Sequence, residues 1–298
     1  MKKEHYVFPL HEVVPYIHWS YFFHAWGFSP RFATIADVHG CDACRAMWLA
    51  SFPEEERRCA AEAMQLYKEA CRMLVSLDTH YTAQALCRLC EAYADGDDLV
   101  LDGIRFPLLR QQTKQADNDH YLCLSDFVRP FSPDVSDCVG VFVASVRGDE
   151  GLSDSADPYR NMLVQTLADR LAEAAAERMH EHVRRHFWGY APDERLTVRQ
   201  LHNEAFQGIR PAVGYPSLPD QSVNFILDSL LDFSSIGVSL TEHGAMNPQA
   251  SVSGLMLAHP AARYFSIGRI SYEQLSDYAL RRSMPVEKMA KFLRPLLS

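Results

Sequence analysis

Apolar positions at helical spacing mark two long stretches of the chain. After Pro53 a run of glutamates fills a first turn, where carboxylates favour the helix dipole. Ala63, Leu66, Tyr67, Ala70, Met73 and Leu74 then recur every three to four residues, which predicts an amphipathic helix with one face in a core. Asp157-Pro158 supplies an N-cap and a proline at the first helical position. Leu163, Leu167, Leu171 and Ala174 continue as a stripe, predicting a second long helix that stops near Trp188-Gly189. Elsewhere the pattern changes. Ala85 to Tyr93 and Leu99 to Phe106 read as a strand pair, the second carrying Asp102-Gly103, and the β-branched run Cys138 to Val146 predicts a buried strand. Val252 to Leu257 and Tyr264 to Ile270 read as short strands. Ser271 with Gln274 has the capping-box pattern for a helix through Tyr278, and Pro285 opens a final helix to Leu296. Helices and strands mix without a regular βαβ alternation, so the predicted class is α+β.

The stretch from Glu204 to Ala279 breaks this periodicity. It carries EAFQGIRPAVGYPSLPD, SLTEHGAMNPQASVSG, HPAARYFSIGRI and DYA, dense in Gly, Pro, small polar residues and Tyr between ordinary helical segments. In Arg210 to Pro216 two prolines fix φ around a glycine, leaving a rigidly bent backbone whose polar groups face outward. Such a bend beside an Arg and a Tyr can hold a small polar ligand. One segment of this kind reads equally well as a tight surface turn with a solubilising Arg; several in succession favour a pocket.

The order IRPAVGYPSLPD, LTEHGAMNPQASVSG, HPAARYF, DYALRR resembles the C-terminal activation domain of cobalamin-dependent methionine synthase. Leu167 to Glu194 is similar to that family almost residue for residue. LLRQQTK (Leu108 to Lys114), CLSDFVRP (Cys123 to Pro130) and GVFVASVRG (Gly140 to Gly148) match its middle, and IHWSYFFHAWGFSPR its opening. The resemblance spans nearly all of the chain and implies one unit over residues 1–298, with about 33–52 as an insert the family does not share. The implied fold is helices packed around a twisted, mainly antiparallel sheet. The implied chemistry is reductive methylation of cob(II)alamin, with S-adenosylmethionine giving the methyl group and a flavodoxin-like donor the electron.

By the same resemblance Arg210 binds the ligand's carboxylate, as a planar guanidinium suits it. Glu173 and Glu204 lie near the sulfonium, Pro211, Ala212 and Val213 set main chain against the adenine, and Tyr215 and Tyr264 are binding-site tyrosines. From spacing alone, Glu173 with Glu177 and Glu181 also fits a solvated helix face at i, i+4. Two departures stand out. His18 precedes Trp19 where the family has an Asp for the ligand's amino group, and a neutral imidazole accepts a hydrogen bond without compensating the charge. In PDQSVN, Gln221, Val223 and Asn224 replace the family's His, Glu and Lys, on an edge expected to face the cobalamin module. No catalytic acid or base is expected, because the chain's part is to bind and position.

Composition adds limits. The 298 residues are 48% hydrophobic and 22% charged, ordinary for a soluble globular protein, and a formal charge of −9 argues against a nucleic-acid surface. No apolar run reaches about 18 residues, and the polar start MKKEHY has no signal-peptide pattern, so no membrane span and a cytoplasmic setting are expected. The eight cysteines then read as thiols. Cys41/Cys44 and Cys87/Cys90 could supply four thiolates for zinc, with His24 or His39 as substitutes. The second pair lies in a predicted strand, where residues three apart point to opposite faces, and the first falls in the segment that the family does not share, so structural thiols are expected over a metal site or a redox pair. Asp37-Val38-His39-Gly40 superficially matches the D-x-H-x-x-G signature of cobalamin modules but has Asp at position 42, so the cobalamin is expected from a partner. The leading expectation is a stand-alone reactivation protein of methyltransferase type, acting on a methionine synthase that lacks this domain. A non-catalytic binding scaffold or sensor, favoured by His18 and PDQSVN, is the competing one.

Overall fold

Alternation of side chains along two long strands divides the apolar residues between two cores, one on each face of a sheet. The computed structural model describes residues 2–113, 120–148 and 156–297, so Lys114, at the end of LLRQQTK, lies outside the described residues. The strands are β1 (Lys3–Pro9), β2 (Tyr81–Asp95), β3 (Asp98–Leu101), β4 (Ile104–Pro107), β5 (Asp137–Gly148), β6 (Ser239–Leu240), β7 (Met246–Asn247) and β8 (Ser251–Met256). The helices are α1 (Leu10–Val13), α2 (Trp19–Ala25), α3 (Asp42–Ala50), α4 (Glu54–Leu77), α5 (Pro158–His182), α6 (Val198–His202), α7 (Asn224–Leu231), α8 (Tyr272–Arg281) and α9 (Val286–Phe292). The main sheet runs β4-β3-β2-β5-β8, with β1 also on β2, and every pairing in it is antiparallel.

Parity along β2 and β5 sets the layers. Ala83, Ala85 and Cys87 with Phe142, Ala144 and Val146 face a core made with α1, α2, α4 and α5. Leu86, Cys90 and Ala92 with Val139, Val141 and Val143 face a second core, closed by α7, α8 and α9. Cys87 and Cys90 therefore sit on opposite faces, each buried, as their spacing on a strand requires. Residues of the expected insert are held in the first core by Ile35 and Trp48, and Trp48 Nε1 donates to Thr34 Oγ1 at 3.0 Å.

Three expectations need correction. Leu99 to Phe106 is not one strand but the hairpin β3–β4, because Asp102 and Gly103 take φ of 49° and 82°, the pair of positive angles that closes a two-residue hairpin turn. Tyr264 to Ile270 joins no ladder beyond a single bridge from Ile270 to Leu297. Its polar backbone is met instead by Gln111 Nε2 donating to the Ser266 carbonyl at 2.7 Å and by the Ile267 N–H donating to the Pro216 carbonyl at 2.9 Å. In PDQSVN only Gln221 of the three departures is exposed. Val223 fills the second core, and Asn224 is buried, donating to the Gly244 carbonyl at 2.8 Å and accepting from Ser253 Oγ at 2.5 Å. These two substitutions belong to packing rather than to an outer edge.

Candidate functional site

The bend at Arg210 lies against β8 because one residue there has no side chain. A Cβ on Gly254 would lie 2.1 Å from the Pro211 carbonyl oxygen and 2.9 Å from Ala212 Cα. With Gly254 in place, the Leu255 N–H donates to the Pro211 carbonyl at 3.0 Å and the Val213 N–H donates to the Ser253 carbonyl at 2.9 Å. Proline rings and the Gly214 turn (φ +87°) keep this segment from continuing as a strand, so it leaves the sheet and carries Tyr215 over α5.

Between this bend, α5, α6 and the start of α2 lies a cavity of about 470 Å³. Of the residues singled out from the sequence, Arg210, Pro211, Ala212, Tyr215, Tyr264, Glu173, Glu204 and His18 all line it. Val213 does not, since its side chain packs against the second core. Arg210 Nη2 donates to Glu177 Oε2 at 2.8 Å, and the Arg210 backbone N–H donates to Tyr264 Oη at 2.9 Å. Tyr215 Oη donates to Glu173 Oε1 at 2.8 Å, and Arg170 Nη1 donates to Glu173 Oε2 at 2.6 Å. Glu204 holds φ at +56°, a left-handed conformation uncommon for a residue with a side chain. Its carboxylate has no hydrogen-bond or ion-pair partner among the described residues. Burial, reinforced by nearby Glu177, raises its pKa.

Sequence reasoning passed over the residues behind this wall. Glu177 is 12% exposed rather than solvated, and beneath it the helix widens into a π turn, Val183–Phe187, that carries Arg184 into the core. Fully buried Arg184 binds Glu194 through Nη2 at 2.7 Å and Nε at 3.0 Å, reaches His180 Nδ1 at 2.8 Å, and lies 4.0 Å from Glu177 Oε1. The i, i+4 spacing of Glu173, Glu177 and Glu181 describes a solvated face equally well, and Arg184 stands within the basic run His180 to His186, which gives no sign that it alone turns into the core.

Behind the cavity wall Arg210 Nε and Glu177 Oε1 are buried without a hydrogen-bond partner among the described residues. Three carboxylates (Glu173, Glu177, Glu204) face two guanidiniums (Arg170, Arg210), a balance that favours a ligand with net positive charge.

His18 stacks on His202 with ring centroids 4.4 Å apart, and the pair also borders a larger neighbouring cavity of about 760 Å³. Burial and the His202 ring push the His18 pKa down to about 4, and burial and Arg184 hold fully buried His180 well below its ordinary value. Both are neutral in the fold at pH 7. In the unfolded chain they take protons below about 6.5, so that state binds more protons and stability falls as pH drops from there towards the folded-state values. The urea midpoint is expected to decline between pH 7.5 and 5, less steeply in His18→Asn; an equally steep decline in that variant would contradict the His18 share.

Residues 9–283 match the family model for the activation domain of vitamin B12 dependent methionine synthase. The fold is similar to the crystal structure of the MetH reactivation domain bound to AdoHcy, with a TM-score of 0.84 and 33% sequence identity, over 100% of this chain and 91% of that one.

Proposed function

The chain belongs to the activation-domain family of vitamin B12-dependent methionine synthase, and from that premise we propose that its Arg210 cavity binds S-adenosylmethionine for reactivation of a cobalamin held outside these 298 residues. The observation that carries this reading is the convergence of Arg210, Glu173, Glu204 and Tyr264, drawn from distant parts of the sequence, on one cavity. The similar structure holds AdoHcy, whose adenosyl and amino-acid parts S-adenosylmethionine shares.

Arg210 receives the ligand's carboxylate through a guanidinium positioned by Glu177, on a backbone whose N–H is held by Tyr264 Oη. Glu173, braced by Arg170 and Tyr215, and Glu204, which has no partner among the described residues, offset the ligand's positive charge. Pro211 and Ala212 present main chain to the adenine edge, while Phe142 and Ala176 keep the cavity wall apolar. S-adenosylmethionine supplies a methyl group to reduced cobalt. The protein's contribution is to hold that group in a fixed, water-poor setting, so no acid or base of its own is required. The corrinoid comes from a cobalamin module on a partner, and the electron from a flavodoxin-like protein.

Calorimetry of the purified protein with S-adenosylmethionine tests the reading. A Kd between about 1 µM and 1 mM is expected, and no heat at millimolar ligand would leave a scaffold or sensor, the reading that neutral His18 favours. His18→Asp is expected to tighten binding by up to about 1.5–3 kcal/mol through a charge-assisted hydrogen bond to the ammonium. Unchanged or weaker binding in that variant would place the amino group elsewhere.

A further inference from the structure

The turn between Asp37 and α3 brings together three metal-binding side chains far from the ligand cavity. One ring nitrogen of His39, the Sγ of Cys41 and the Sγ of Cys44 all lie within 4.8 Å of one another. We propose that His39, Cys41 and Cys44 form a site for a thiophilic divalent d10 cation of the Zn²⁺ type, with its fourth position open to solvent.

The backbone arranges the set. Cys41 is the N-cap of α3 and its Sγ accepts the Cys44 N–H at 3.4 Å, so both sulfurs lie on the same side of the first helical turn. His39 approaches from the preceding turn, two residues back. Both flanks are anchored: Phe32 and Ile35 on one side and Trp48 on the other are buried in the first core, and the Trp48–Thr34 hydrogen bond ties the sides together. The approach is therefore held by the fold rather than by a free loop.

Zinc bound by two sulfurs and a nitrogen holds those atoms about 3.5–3.8 Å apart, a separation that side-chain rotation reaches from within 4.8 Å. Two thiolates and a neutral imidazole balance a divalent charge, and soft sulfur donors select such a cation over Mg²⁺ or Ca²⁺. Cys87 and Cys90, by contrast, are buried on opposite faces of the sheet and cannot share an ion. None of the three donors lines either large cavity, so this site stands or falls independently of S-adenosylmethionine binding.

The test uses the whole protein, stripped with a chelator under a thiol-free reductant, loaded with Zn²⁺ and desalted. Elemental analysis is expected to find about one zinc per chain. Cys41→Ser, Cys44→Ser and His39→Ala should each weaken binding at least about tenfold against a chromophoric chelator. Cys59→Ser, at an exposed thiol on α4, should leave it unchanged. Bound zinc should also protect Cys41 and Cys44 from alkylation, mapped by mass spectrometry, while Cys59 reacts. Negligible zinc in the wild type, an affinity indifferent to Cys41→Ser, or recovery of Cys41 and Cys44 as a disulfide after zinc loading would each overturn the proposal.

Discussion

Replacing Arg210 with Ala is expected to lower S-adenosylmethionine affinity by at least about a hundredfold, or about 3 kcal/mol. Two effects add. The ligand's carboxylate loses a forked, charge-assisted partner, and Glu177, 12% exposed, loses the guanidinium that neutralises it. Arg210→Lys separates them: it keeps a charge for Glu177 but cannot present two parallel donors, so its loss should be smaller, about tenfold. Calorimetry on both variants, with circular dichroism to show retained structure, decides the matter. If Arg210→Ala binds as well as the parent, the carboxylate is not held there and the proposed orientation in the cavity is wrong.

The largest expected effect on stability lies one layer deeper. Arg184→Ala should cost about 3–5 kcal/mol of folding free energy, because truncating one member of a buried charged group leaves the others uncompensated. Glu194, 7% exposed, would lose its two-pronged contact, and His180 its 2.8 Å donor. The guanidinium also lies over the Phe206 ring at 4.3 Å from its centroid, so packing is lost with the charge. Urea unfolding measures the change. The double variant Arg184→Met, Glu194→Leu removes both charges and should be less destabilised than Arg184→Ala; a double variant that is worse, or a single variant within about 1 kcal/mol of the parent, would contradict this account. Because Arg184 also lies 4.0 Å from Glu177 Oε1, the single variant should weaken ligand binding at temperatures where it is still folded.

What the sequence revealed and what it hid follow from the same physics. The bend at Arg210 to Pro216 was legible because proline and glycine act on the backbone locally, and neighbours cannot cancel that. Both long helices were legible because their apolar stripes recur through several turns, and they appear as α4 and α5. Leu99 to Phe106 looked like one strand because apolar residues continue on both sides of Asp102-Gly103; the dipeptide was a hairpin signal that a continuous apolar run obscured. Tyr264 to Ile270 had strand-like composition, but the fold lays it where Gln111 and Pro216, rather than a neighbouring strand, meet its backbone, a matter of tertiary placement. Glu177 and Arg184 were hidden because charged residues at helical spacing read as a wet surface until the opposing α6 segment and the Glu194 loop are in place. The sequence offered His24 and His39 equally as companions to the cysteines; only the folded turn brings His39, Cys41 and Cys44 within 4.8 Å of one another.

On the proposed reading, ligand recognition and folding pull against each other at Glu204. At φ of +56° it occupies a conformation that glycine adopts freely and that other L-residues enter at about 1–2 kcal/mol. A glycine would suit the backbone there and erase a cavity-wall carboxylate that has no partner among the described residues. Consensus-style stabilisation of this turn would therefore select against binding, and a screen for thermal tolerance alone would steer the protein towards an empty, sturdier shell.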